Sequence, residues 1–98
     1  MDTPLTVIAR LRAKPEREAE LLAVLDHLVQ ETRQEPGCVH YDLYRSAEDP
    51  QVLVFHETWA SRADWEAHNA SPHVDGFRAR VPELLDGAAQ VDPLYPVE

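Results

Sequence analysis

The chain has 98 residues, with nine Lys or Arg against eighteen Asp or Glu, so its formal net charge is −9. This length predicts a single domain over residues 1–98, with its core at about 5–90. The acidic balance excludes a basic nucleic-acid-binding face and disfavours binding to anionic membrane surfaces.

The single cysteine and the first residues predict a setting for the protein. One cysteine, Cys38, excludes an intramolecular disulfide framework and favours a reducing compartment. Asp2 lies where a signal peptide would carry a base, and no apolar stretch approaches the roughly 20 residues that span a bilayer. We therefore expect a cytoplasmic protein.

The first two elements are a strand and a helix. Alternation of apolar residues from Leu5 to Leu11 predicts a strand with one buried face. Pro15 suits the first position of a helix, and Pro36-Gly37 predicts where that helix ends. Between them an apolar stripe at helical spacing contains Leu21, Leu22, Leu25, Leu28 and Val29.

Two further strands form a predicted hairpin. Residues 38–45 and 52–59 alternate in polarity, and the turn around Asp49-Pro50 separates them. In the first strand, Val39, Tyr41 and Leu43 are predicted to share one face. In the second, the residues predicted to share one face are Leu53, Phe55, Glu57 and Trp59.

The last third of the chain predicts a helix in two parts and a weak strand. Ser61 begins an S-x-x-D capping box, and Ser71-Pro72 restarts the helix. Pro82 is expected to kink the second part or to split off its last turn, and Gly87 to end it. Residues 90–98 predict an edge strand or an arm, because they contain two prolines.

The order β-α-β-β-α-β predicts an α+β fold of the ferredoxin-like, split βαβ type, with an antiparallel sheet and its helices on one face. No third layer remains in the chain to cover the other face of the sheet. We therefore expect a homodimer that forms through this sheet face.

Several segments resemble one known family, over about Thr6 to Leu85. They are Leu5-Thr6-Val7-Ile8-Ala9-Arg10, Glu35-Pro36-Gly37-Cys38, Tyr41-Asp42-Leu43-Tyr44, Phe55-His56-Glu57-Thr58-Trp59 and His68-Asn69-Ala70-Ser71-Pro72-His73. In this order and at these separations, the chain resembles the antibiotic biosynthesis monooxygenase domain.

That resemblance implies a dimeric α+β barrel and an enzyme that oxidises a quinol or polyketide phenol with molecular oxygen, without a bound cofactor. A haem-degrading branch of the family uses an asparagine on the first strand and a tryptophan and a histidine on the last helix. Here His68 and Arg78 stand about where those two helix residues would be, and the strand has no asparagine. The chain therefore resembles the quinol-oxidising branch.

His68 is the predicted base, because an imidazole can accept a phenolic proton near neutral pH. Tyr41 is expected to offer its hydroxyl to a substrate oxygen, and Asn69 to donate to a developing oxyanion. The alternatives are that His68 and Asn69 only complete the helix break, and that Tyr41 is core. The residues predicted to bind an aromatic substrate are Phe55, Glu57, Trp59 and Phe77. Of these, Trp59 is predicted first as a core aromatic and second as a wall of the pocket.

Glu57 and His73 carry separate expectations. We expect Glu57 to pair with Arg10, Arg12 or Arg45 across the sheet, or else to orient His68 or a substrate hydroxyl at the pocket edge. His73 is expected to be an exposed first-turn residue. No metal site is predicted, because His68 and His73 are five positions apart with no carboxylate or cysteine at ligand spacing.

Two other functions remain open at this stage. The same scaffold suits a non-catalytic dimeric protein that binds small ligands or acts in stress, in which case the core beneath His68 would be filled. It also suits an isomerase that uses His68 for proton transfer without oxygen.

Overall fold

The computed structural model describes residues 3–98 and confirms the predicted fold class. Its elements are β1 (Leu5–Arg12), α1 (Glu18–Thr32), β2 (Cys38–Arg45), β3 (Val52–Trp59), α2 (Arg62–Asn69), α3 (Pro72–Leu84) and β4 (Gln90–Leu94). The sheet has the strand order β2-β3-β1-β4, and every neighbouring pair is antiparallel. This is the ferredoxin-like arrangement, with the second crossover divided between α2 and α3.

One face of the sheet carries the core. Alternate residues of β1 from Leu5 to Leu11 are buried, and the facing residues of β3 pair with them in register, as Leu11 does with Leu53. The same cluster includes apolar residues of the helices, namely Leu21, Leu25, Leu28, Val29, Val74 and Leu84. The helices therefore cover this face, as the period-two and helical patterns predict.

A register shift in β2 corrects one predicted face. The pairing with β3 is irregular between Cys38 and His40, and Val39 is 53% exposed. Cys38 pairs with Trp59 and is half-buried against the core, whereas Val39 was predicted to share the face of Tyr41. A single bulged residue reverses the facing of the residues before it, and simple alternation cannot reveal this.

Two helices, α2 and α3, begin where their capping serines place them. Ser61 and Ser71 each accept a hydrogen bond from the backbone N–H three residues later, at the starts of α2 and α3. α1 begins at Glu18 rather than at Pro15, because Glu16 has a φ of 69° and the chain turns there before the helix starts. Pro82 lies inside α3, which continues to Leu84 without a break.

The other face of the sheet has no helix over it in the described part of the chain. Its residues include Tyr44 and Leu94, which are 56% and 45% exposed. β4 lies at the edge beside β1, as Pro93 and Pro96 predict, and all five of its residues are exposed. None of the helices in residues 3–98 is long and apolar enough to cross a membrane.

Candidate functional site

A cavity of about 260 Å³ lies between the sheet and the helices. Its floor comes from the three strands β1, β2 and β3, and its walls from α1, α2, α3 and the segment that leads into β4. Most lining side chains are apolar, and four of them are aromatic: Tyr41, Phe55, Trp65 and Phe77. An apolar cavity with a few polar groups is the usual form of a small-molecule site.

Six of the seven predicted site residues line this cavity. They are Tyr41, Phe55, Glu57, His68, Asn69 and Phe77. Trp59 does not belong to the lining, although we predicted it as a wall. It is fully buried one layer behind the cavity, because β3 directs its ring under α2 and against His68.

His68 is joined to Glu35, which the sequence interpretation did not select. The Nδ1 atom of His68 lies 2.6 Å from Oε2 of Glu35, and Nε2 of His73 lies 2.8 Å from the same oxygen. All three side chains are mostly buried, with 5%, 16% and 17% of their surface exposed for His68, Glu35 and His73. The prediction that His73 is an exposed first-turn residue was therefore wrong.

The surroundings of His68 favour its neutral form. Its ring packs against Trp59 and Tyr41, with centroids 4.7 Å and 5.5 Å away. Burial lowers the pKa of His68 below its usual value, although the hydrogen bond and charge of Glu35 act in the opposite direction. A neutral imidazole can accept a proton.

Glu57 lies on the cavity floor with Trp59 as its partner. The indole Nε1 of Trp59 donates a hydrogen bond of 2.9 Å to Oε1 of Glu57. Burial raises the pKa of Glu57 to about 7, and the indole hydrogen bond only partly offsets this. The expected pairing with Arg10, Arg12 or Arg45 was wrong, because the side-chain partner of Glu57 is Trp59. Arg10 and Arg12 project from the other face of the sheet, whereas Glu57 faces the helices.

Two other polar side chains near the cavity keep their protons. Burial and the neighbouring Glu57 carboxylate raise the pKa of Tyr41 far above its usual range, so its hydroxyl remains a donor. Burial likewise raises the pKa of the Cys38 thiol to about 11, which leaves it without nucleophilic character at neutral pH.

The cavity also has a cationic side chain, that of Arg78, in its lining. The sequence analysis named this residue only in the comparison with the haem-degrading branch. Arg78 lines the cavity, and its Nη1 donates to the backbone oxygen of Asn69 at 2.7 Å. This bond ties the end of α2 to α3. The spacing along α3 could have indicated this position. Val74 and Arg78 are four residues apart, and such residues lie on the same face of a helix.

Within residues 3–98, Glu35, His68 and His73 also form one group that could hold a metal ion, with their ligand atoms within 4.8 Å of one another. Histidine nitrogen and carboxylate oxygen are ligands that Zn²⁺ accepts. Two ligands bound to one tetrahedral ion at about 2.0–2.2 Å stand roughly 3.3–3.5 Å apart. The separations of 2.6 Å and 2.8 Å from Glu35 are shorter and are those of hydrogen bonds.

Comparison with known sequences gives a consistent result. Residues 4–80 match the family described as "Antibiotic biosynthesis monooxygenase". "Putative monooxygenase Rv0793" from Mycobacterium tuberculosis is 40% identical over all of this chain and 96% of its own length. "Putative monooxygenase YcnE" from Bacillus subtilis is 35% identical over 85% of this chain and 87% of its own.

Solved structures agree with these matches. The crystal structure of PA3566 from Pseudomonas aeruginosa superposes with a TM-score of 0.93 at 34% identity, over 100% of this chain and 98% of that one. The structure of Rv0793 superposes with a TM-score of 0.92 at 41% identity, over 98% and 97% of the two chains.

Proposed function

We propose a function from one established premise, which is that this chain belongs to the antibiotic biosynthesis monooxygenase family. The proposed activity is the oxidation of a small aromatic quinol or polyketide-like phenol by molecular oxygen, without a bound cofactor. The observation that carries the proposal is the apolar cavity in which His68, held by Glu35, lies beside Tyr41 and Glu57.

The size and walls of the cavity support an aromatic substrate. A volume of about 260 Å³ lies just below the range of roughly 300–1,000 Å³ that is common for ligand pockets, which favours a ligand of one to three rings. Phe55 and Phe77 present flat apolar surfaces on two sides of it. Stacking on such rings suits a planar substrate.

The proposed chemistry begins with proton transfer. Neutral His68 accepts the phenolic proton, and the resulting phenolate is electron-rich enough to transfer an electron to oxygen. Radical recombination forms a carbon–oxygen bond and a peroxide, and the imidazolium returns its proton as the O–O bond breaks and water leaves. For a quinol the balance is quinol plus O₂ to hydroxyquinone plus H₂O, so the substrate supplies all four electrons.

The neighbouring groups orient the substrate and stabilise charge. In this proposal the Tyr41 hydroxyl, which stays protonated, donates to a substrate oxygen, and Asn69 is the second donor. Glu57 accepts a hydrogen bond from a substrate hydroxyl when it is ionised. Trp59 acts indirectly, by holding Glu57 and packing against His68.

We also propose that two copies pair through the open face of the sheet. Apolar side chains on this face, such as Ile8, Val54 and Tyr44, meet no helix of their own chain. Pairing would remove them from water, which stabilises a small domain. The free thiol of Cys38 suits a reducing cytoplasm, which we propose as the setting.

Oxygen uptake with a panel of benzohydroquinones and naphthohydroquinones tests the activity, with ¹⁸O₂ used to trace oxygen into the product. We expect His68→Ala to lower the rate by about 10²–10⁴-fold, the usual contribution of a general base. His27→Ala is the matched control, because His27 is an exposed histidine on α1.

Uptake by the wild type that does not exceed autoxidation, or equal uptake by His68→Ala, would contradict the proposal. Conversion of substrate that depends on His68 but consumes no oxygen would identify the isomerase alternative. Binding of the ligands without turnover would identify a non-catalytic protein.

Sedimentation velocity tests the pairing. The wild type is expected to sediment as a species of twice the 11.1 kDa chain mass. Val54→Asp is expected to give the monomer, because it places a charge in the centre of the open face. A monomeric wild type at micromolar concentration would disprove the pairing.

A further inference from the structure

We propose that Glu35 is the positioning residue of the site, that it holds His68 with its proton on Nδ1, and that His73 anchors Glu35 in turn. The catalytic meaning of this arrangement rests on the proposed function. The arrangement itself can be measured in the ligand-free protein, so the two can fail separately.

The contacts determine where the protons lie. An ionised carboxylate only accepts hydrogen bonds, so both imidazoles must present an N–H to Oε2 of Glu35. His68 therefore carries its proton on Nδ1, and its Nε2 has the free lone pair. Within the described residues Nε2 has no hydrogen-bond partner, and His68 lines the cavity, which leaves this nitrogen for a substrate proton.

The backbone holds Glu35 in place. Its N–H donates to the Thr32 oxygen at 3.0 Å, and its own oxygen accepts from the Cys38 N–H at 3.1 Å. Gly37 is buried beside it, and an added Cβ there would clash with Cγ of Asp64 on α2. The turn after α1 and the helix that carries His68 are therefore closely packed, so the contact between Glu35 and His68 is pre-formed.

Burial strengthens the electrostatic effect of Glu35 on His68. With only 16% of its side chain exposed, the Glu35 carboxylate acts through a medium of low dielectric constant, and it stabilises the imidazolium that forms when His68 accepts a proton. The charged and titratable groups around His68 are Glu35 from the turn, His73 and Arg78 from α3, Tyr41 from β2, and Glu57 on β3, which is hydrogen-bonded to Trp59.

These groups shift the pKa of His68 in opposite directions. Glu35 raises the pKa of His68, whereas the positive charges of His73 and Arg78 lower it. Removal of the Glu35 charge should therefore move the acidic limb of the pH–rate profile to lower pH. Removal of the His73 charge should move the acidic limb to higher pH, and by a smaller amount than removal of the Glu35 charge moves it.

The first experiment is ¹⁵N NMR of the histidine rings in the ligand-free protein. We expect His68 to show a protonated Nδ1 and an unprotonated Nε2 at pH 7.5. In Glu35→Gln the two tautomers are expected to interconvert. A wild-type His68 that is protonated on Nε2 instead would overturn the proposal without reference to any variant.

The second experiment compares pH–rate profiles with the best quinol substrate. Glu35→Gln is expected to lower kcat by at least about tenfold, with little change in KM and with the acidic limb at lower pH. His73→Gln keeps an N–H donor to Glu35 but removes the imidazole charge, so the acidic limb should move to higher pH. Glu31→Gln, the same change at an exposed position of α1, is the control.

The outcomes separate the two proposals. A limb that stays in place in Glu35→Gln, or the same loss in Glu31→Gln, would overturn the positioning role. If Glu35→Gln does not fold, the wild-type tautomer and the His73→Gln profile still decide it. A wild type that holds the tautomer but oxidises no quinol would support the positioning of His68 and overturn the proposed function.

Discussion

Glu35 and Glu57 are two acids beneath the helices of one small domain, and their surroundings differ. Glu35 lies in the turn after α1, and its Oε2 receives hydrogen bonds from two imidazoles. Glu57 lies on a central strand, is 4% exposed, and has the indole of Trp59 as its hydrogen-bond partner. The two imidazole N–H groups therefore stabilise the ionised form of Glu35, whereas burial favours the protonated form of Glu57 near neutral pH.

The comparison shows that the hydrogen-bond partners of a buried acid decide its chemical role more than its degree of burial does. A carboxylate with two N–H donors can orient a base, as we propose for Glu35. A carboxyl group with a pKa of about 7 can exchange a proton with a substrate or change its hydrogen bonding with pH. Five substitutions would break or sharpen this difference.

The largest expected effect is on the pH dependence of stability in Glu57→Gln. The folded pKa of Glu57, about 7, exceeds the ordinary 4.5, so its favourable contribution is complete below pH 4.5 and is lost as the pH rises through about 7. The free energy of unfolding of the variant relative to wild type should increase by roughly 2–3 kcal/mol from pH 5 to pH 8. Urea denaturation at fixed protein concentration measures it.

Glu35→Gln provides the contrast for this measurement. It should show no such gain at pH 8, because the substitution removes an anion that two N–H groups solvate. An equal gain in both variants would contradict the difference between the two acids.

Trp59→Phe is expected to destabilise the fold by about 2 kcal/mol at pH 8. The change removes the N–H donor of Glu57 and leaves a buried carboxylate without its partner, at a cost of roughly 1–3 kcal/mol. The loss should be smaller at pH 5, where Glu57 is protonated. A loss of the same size at both pH values would mean that only packing was affected.

Gly37→Ala tests the packing at the other acid. The added methyl group must displace the Asp64 side chain, and overpacking of this kind costs about 1–2 kcal/mol where the neighbour can move. Since α2 would shift away from the turn, the His68 Nδ1–H signal should also weaken in NMR. Gly76→Ala is the control, because a Cβ there meets no atom within 4 Å.

The smallest expected effect is that of Ser61→Ala, which removes the side-chain cap of α2. The Ser61 hydroxyl accepts a hydrogen bond from the Asp64 N–H, and the loss of such a cap costs about 1 kcal/mol. Activity should be nearly unchanged, because β3 and Glu35 still hold His68. Thermal and urea denaturation measure the stability, and a large loss of activity would show that the cap also positions the base.

Much of the fold follows from local patterns. The alternation in β1 and β3, the serine caps before α2 and α3, and Pro93 in β4 each place an element correctly, because they act over a few residues. The bulge at Val39 and the late start of α1 were not predictable in this way. Both depend on how the chain meets the rest of the sheet and not on the side-chain pattern.

The sequence by itself determined which residue types face the cavity. The periods of β2, β3 and α2 carry Tyr41, Glu57 and His68 to the same side, since a strand repeats every two residues and a helix every 3.6. Tertiary structure alone decided the partners: Glu35 joins His68 from 33 positions away, and Trp59, predicted as a wall, supports Glu57 from behind. Such contacts follow from how the elements pack, and neither periodicity nor spacing along the chain contains that information.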